Sequence, residues 1–114
     1  MTFDEVRRIA LAWRGVEEGT SYGTPALKVK GRMLARLRED GDTLVVKGVG
    51  PDERAWLIES EPDVYYVTDH YVGWPIVLVR LSVARPDAVK NLLLREWQAV
   101  VPAKWRDEMA NGTR

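Results

Sequence analysis

Two groups of side chains in this sequence are of types and spacings that could do chemistry. The first is a run of cations. Lys28, Lys30, Arg32, Arg36 and Arg38 stand at even positions, and no acid interrupts the stretch. In paired extended strands, residues two apart face the same side. The five are therefore expected to form one positive stripe. Phosphate contacts need such a stripe, because neutralising phosphates releases condensed counterions, and a two-stranded ribbon is one of the elements that enters a nucleic-acid groove. The competing reading is a solvated strand face. Outward strand positions are commonly polar, lysine blunts sheet edges, and Glu39, Asp40 and Asp42 follow directly. No aromatic residue shares the parity, so a base-stacking platform for single strands is disfavoured.

The second group lies on two predicted loops, Glu18 to Pro25 and Thr68 to Pro75. Tyr22, Thr24, Asp69, His70, Tyr71 and Trp74 concentrate donors, acceptors and flat rings there. Loops brought together would make a shallow pocket with aromatic walls and a titratable imidazole. The structural alternative has Asp69 and His70 holding a turn while Tyr71 and Trp74 close one end of the core. Ser21 or Thr24 with His70 and Asp69 has the residue types of a nucleophilic site. However, adjacent residues of an extended segment point apart, and no nucleophile elbow frames either hydroxyl. One histidine and no cysteine make a poor metal set. Gly48-Val49-Gly50 lacks the lysine and hydroxyl of a phosphate loop. The residues thus assign no catalytic group, no metal and no cofactor, and they point to a binding module.

The elements that must position these groups follow from periodicity. Thr2 and Glu5 form a capping box for a helix from Phe3 to about Trp13, whose stripe is Val6, Ile9, Ala10 and Trp13. Alternation then gives a hairpin over Ala26–Arg38 with its turn at Gly31, and a third strand over Thr43–Lys47 after Asp40-Gly41. Pro51 opens a second helix with Trp56 and Leu57 expected inward. Val64–Val67 and Ile76–Leu81 read as two more strands. Pro86 opens a last helix that ends near Pro102, and Trp13, Trp56 and Trp97 are expected in the core. The order α-β-β-β-α-β-β-α predicts an α+β domain: an antiparallel sheet of about five strands with helices packed on one face. One domain over residues 1–102 and a tail over 103–114, read as a frayed turn whose Trp105 either docks on the domain or marks a partner contact, is the expected organisation.

Composition narrows the class. A chain of 114 residues, 46% hydrophobic and 30% charged, can fold around one core and is not a disordered polymer. Seventeen basic residues balance seventeen acidic ones, so attraction to nucleic acid has to be local. The absence of cysteine excludes disulfide scaffolds. No run approaches the ~18 apolar residues of a membrane helix, and Met1 leads into a charged segment, so the expected setting is cytoplasmic.

Several segments together carry a family resemblance. Thr2-Phe3-Asp4-Glu5-Val6, Gly15-Val16-Glu17-Glu18 and Gly23-Thr24-Pro25-Ala26-Leu27-Lys28-Val29 are followed by Val64 to Tyr71 (VYYVTDHY) and Gly73-Trp74-Pro75. From Thr2 to about Pro102 the chain resembles the MmcQ/YjbR family of small bacterial proteins. The resemblance implies a CyaY-like or double-wing fold, which carries a DNA-binding label that fold alone does not justify. Arg14 stands where that family usually has proline. The leading expectation is weak, sequence-tolerant DNA binding through the five cations. The alternative is a protein- or small-ligand-binding module built on the two loops. The expected assembly is a monomer or weak homodimer.

Overall fold

Thr2 opens the first helix as expected: its hydroxyl accepts from the Glu5 amide at 3.3 Å, and the Glu5 carboxylate accepts from the Thr2 amide at 3.2 Å. The computed structural model describes residues 1–112. Helix α1 (Phe3–Leu11) buries Val6 and Ala10. Gly15, at φ +79°, then turns the chain into strand β1 (Val16–Ser21). Strands β2 (Thr24–Val29), β3 (Arg32–Leu37) and β4 (Thr43–Lys47) follow as a meander. Two of its turns are two-residue turns, Tyr22-Gly23 and Lys30-Gly31. All four residues have positive φ, the conformation that matches the twist of paired strands. The third turn is held by the Asp40 carboxylate, which accepts from the Asp42 and Thr43 amides at 2.9 and 2.8 Å and from the Thr43 hydroxyl at 2.7 Å.

Helix α2 (Pro51–Ser60), the short strand β5 (Tyr65–Tyr66) and strand β6 (Ile76–Arg80) come next. A 3₁₀ turn (Leu81–Val83) leads into helices α3 (Pro86–Val100) and α4 (Ala103–Gly112). The strands form one sheet in the order β1-β2-β3-β4-β6-β5, antiparallel throughout. On one face the four helices cover the main core, which includes Leu27, Leu34, Leu44, Val46, Val77 and Trp97. The opposite face holds a smaller apolar cluster of Val45, Ile76 and Leu78, with Met33, Tyr66 and Tyr71 packed against it. No helix among the described residues is long and apolar enough to cross a membrane.

The α+β class and the one-sided helices are as predicted, with three differences. The sheet has six strands: Val16–Ser21, read as part of a loop, is an edge strand. Its burial runs buried, exposed, exposed, intermediate, exposed, intermediate, so no apolar alternation marks it. Trp56 is 65% exposed, because the buried stripe of α2 consists of Arg54 and Leu57. The segment from Ala103 is a helix and not a frayed turn, and its Trp105 packs against the core. That ring sits over Gly15, with the Arg14 guanidinium 4.5 Å and the Lys30 ammonium 5.1 Å from its centroid.

Candidate binding cleft

Arg36 draws the site together. It is buried, 6% exposed, on the face opposite the helices. Its guanidinium donates to the Thr24 hydroxyl at 3.2 Å and to the Tyr71 hydroxyl at 2.8 Å, and it lies 5.2 Å from the Tyr22 ring centroid. One side chain thereby ties the β1–β2 turn to the segment before β6. The two predicted loops do converge, and a strand residue assigned on sequence to the other candidate site joins them.

The 68–75 segment is fixed from behind by Arg54 of α2. This second buried arginine donates to the carbonyls of Val72, Trp74 and Ile76 at 2.9, 2.9 and 3.0 Å, and to that of Tyr71 at 3.4 Å. Backbone bonds from Tyr71 to Thr68 and from Trp74 to Tyr71, both 2.9 Å, complete the turns. Four carbonyls converge on one cation, two of them (Tyr71 and Trp74) also accepting from backbone amides, so the buried guanidinium has its donors satisfied while it fixes the segment. Sequence reasoning missed Arg54. The available signal was a cation three residues before Leu57 on a stripe that buries one face of α2.

Two cavities adjoin around Arg36. One, of about 370 Å³, is lined by Tyr22, Arg36, Arg38, Glu39, Thr68, His70 and Tyr71. The other, of about 290 Å³, has Met33, Val45 and Ile76 as an apolar floor, with Tyr22, Trp74 and Lys47 at its sides. Tyr22, Arg36, His70 and Tyr71 line both, so together they form one cleft with a polar half and an apolar half. Tyr22 is 86% exposed and Trp74 is 63% exposed.

The candidate loop residues fall into three groups. Tyr22, Tyr71, His70 and Trp74 line the cleft. Thr24 is buried behind it: its hydroxyl donates to the Ser21 carbonyl at 2.9 Å and accepts from Arg36, so its proton is not held by a base. Asp69 is exposed, and neither its carboxylate nor the His70 imidazole makes a hydrogen bond or ion pair among the described residues. His70 instead meets the Tyr71 ring edge-on at 4.7 Å. The turn-holding role expected for these two side chains is filled by backbone bonds and Arg54. Among the described residues, no cluster of three or more His, Asp or Glu could hold a metal ion.

The five cations do not share a face. Leu27 pairs with Ala35 but Lys28 pairs with Met33, which leaves Leu34 as an extra residue on β3. A bulge of this kind shifts parity by one. Arg36 and Arg38 therefore border the cleft, while Arg32 pairs with Val29, a residue of the helix-side core. Lys30 is a turn residue at φ +51° that reaches Trp105 on the helix side. Lys28 lies beside Met33 on the cleft face, with its ammonium donating to the Thr20 carbonyl at 2.9 Å. Lys47, outside the predicted stripe, lines the cleft in their place.

Comparison with known proteins fits this architecture. A family model described as YjbR matches residues 11–99, which contain all six strands, both converging segments and Arg54. The chain belongs to the YjbR family. It is 29% identical over 93 residues to an uncharacterized protein of Mycobacterium bovis, spanning 79% of this chain and 72% of that one. The same figures hold for uncharacterized proteins of two Mycobacterium tuberculosis strains. The crystal structure of a Deinococcus radiodurans protein with the domain DUF419 superposes with a TM-score of 0.74 at 22% identity. It covers 96% of this chain and 88% of that one, and at this identity the likeness shows a shared fold. The YjbR match leaves most of α1 and all of α4 outside, so the cleft lies wholly within the family region.

Proposed function

We propose that this YjbR-family protein is a binding module whose ligand seats in the cleft between the Tyr22-Gly23 turn and the 68–75 segment, without covalent chemistry. The observation that carries the reading is Arg36: a buried guanidinium that joins both segments and lines both halves of the cleft. Exposed aromatic rings beside an apolar floor are what a ligand with a flat face would cover. Catalysis gains no support from the hydroxyl geometry, since Thr24 is engaged on both sides. Ligand-observed NMR with a panel of small aromatic compounds tests the reading. Tyr22→Ala and Trp74→Ala should each abolish binding of the compounds that bind and leave the melting temperature within a few degrees. Unchanged binding in both variants would overturn it.

Duplex DNA is the second reading. Lys28, Arg36, Arg38 and Lys47 lie on the same face of the sheet, and this favours phosphate contact there. With Arg36 buried, three cations can reach phosphates. Log K should then fall with log salt at a slope of about −3. Absence of binding to a labelled duplex at low salt would remove this reading.

A further inference from the structure

We infer that the cleft selects a small molecule made of a planar ring and an anionic group, the anion against Arg36 and Arg38 and the ring over Met33, Val45 and Ile76. This inference rests on the cleft reading above and adds the ligand's chemical class. Its first support is the state of the Arg36 charge. A buried cation is costly unless it is paired or fully hydrogen-bonded. Arg54 meets that requirement with four carbonyl oxygens and lines neither half of the cleft. Arg36 has two hydroxyl partners, and its one carboxylate among the described residues, Glu39, lies 3.8 Å away on a side chain that is 68% exposed. A guanidinium offers five donors in a fork suited to carboxylate or phosphate. No buried polar atom of Arg36 is left unpaired, yet its one charged partner is long and exposed, so an anion entering the polar half would add a closer one.

The second support is the local charge balance. Arg36, Arg38 and Lys47 line the cleft against the single carboxylate of Glu39, in a chain whose net charge is zero. Arg38 also feels the Asp40 carboxylate, which it helps to hold ionised, while Lys47 has no acid partner among the cleft-lining residues. The third is shape. The polar and apolar halves adjoin, at about 370 and 290 Å³, near the lower end of the range of small-molecule sites. That space suits one ring system and one charged group. A base-paired duplex hides its ring faces and cannot cover Tyr22 and Trp74 in this way.

Phosphate and carboxylate share the required chemistry, and calorimetry on the whole chain can separate them. The probes are adenosine 5′-monophosphate with adenosine as its neutral counterpart, and indole-3-acetate with indole-3-acetamide. At least one anion should bind saturably and about tenfold or more tighter than its neutral counterpart. The one that binds names the anion. The double variant Arg38→Gln/Lys47→Gln, checked for an unchanged melting temperature, should lose about tenfold for that anion and little for the neutral ring. If neutral and anionic members bind equally and the double variant changes neither, the anion inference is wrong while the cleft stands as a binding site. If none of the four binds, both the inference and the small-ligand reading fall.

Discussion

Tyr22 sits at φ +53°, a left-handed conformation that is an outlier for a bulky side chain, and is 86% exposed with its ring beside Arg36. Asn-Gly is the preferred pair for such a turn, whereas Tyr-Gly carries about 1 kcal/mol of strain. Strain of this kind gathers at ligand sites. Tyr22→Asn should therefore leave the melting temperature equal or higher and still abolish cleft binding; a clear loss of stability would show that the ring serves the fold instead. Asp40 gives a prediction in pH. The Asp42 amide and the Thr43 hydroxyl hold its carboxyl below the usual carboxylate range. A depressed folded value means the contribution is present above the unfolded value of about 3.9 and is lost as pH falls through the folded one. Denaturant midpoints measured down to pH 2 should fall for the wild type, and Asp40→Asn should flatten part of that fall. At this scale the sequence was informative about residue types: Tyr22, His70, Tyr71 and Trp74 were all singled out and all line the cleft. It could not show that Arg36 would be buried between hydroxyls, because that contact spans 35 residues to Tyr71.

Helix α2 serves the cleft through one residue. Arg54 donates to four carbonyls of the 71–76 stretch, so Arg54→Met should cost about 3 kcal/mol by removing a whole set of charge-assisted bonds at once. Amide exchange in the variant should accelerate first at Tyr71, Trp74 and Ile76. Exchange that rises evenly across the sheet would contradict a local role. Most elements were legible from capping, alternation and turn residues: Thr2 and Glu5, the Lys30-Gly31 turn, and Pro51 and Pro86 each mark an observed boundary. Strand β1 was not, since Val16 is the one buried residue of a glutamate-containing edge. The bulge at Leu34 was equally silent. One unpaired residue separates Arg32 from Arg36 in facing and undoes the predicted stripe.

Across the whole molecule, the core and the cleft lie on opposite sides of one sheet and can be perturbed separately. Trp105 seals the helix side over Gly15, where a Cβ would come within 2.6 Å of its ring. Gly15→Ala should therefore lower stability by about 2 kcal/mol, from the left-handed backbone and the displaced ring, without changing cleft binding. Equal loss of binding would mean that the two faces are coupled. Docking of Trp105 was open in the sequence, but its place was not, because the ring sits on a glycine and the flanking cations Arg14 and Lys30 are far apart in the chain. The most direct test of the binding site is a two-dimensional ¹H–¹⁵N map of the chain, titrated with the tightest anionic ring compound. Shifts are expected at Tyr22, Gly23, Arg36, Arg38 and Thr68 to Trp74, with the helix side unmoved. Shifts centred on the Lys30-Gly31 turn, Arg32 or α4 would contradict the cleft as the site of function.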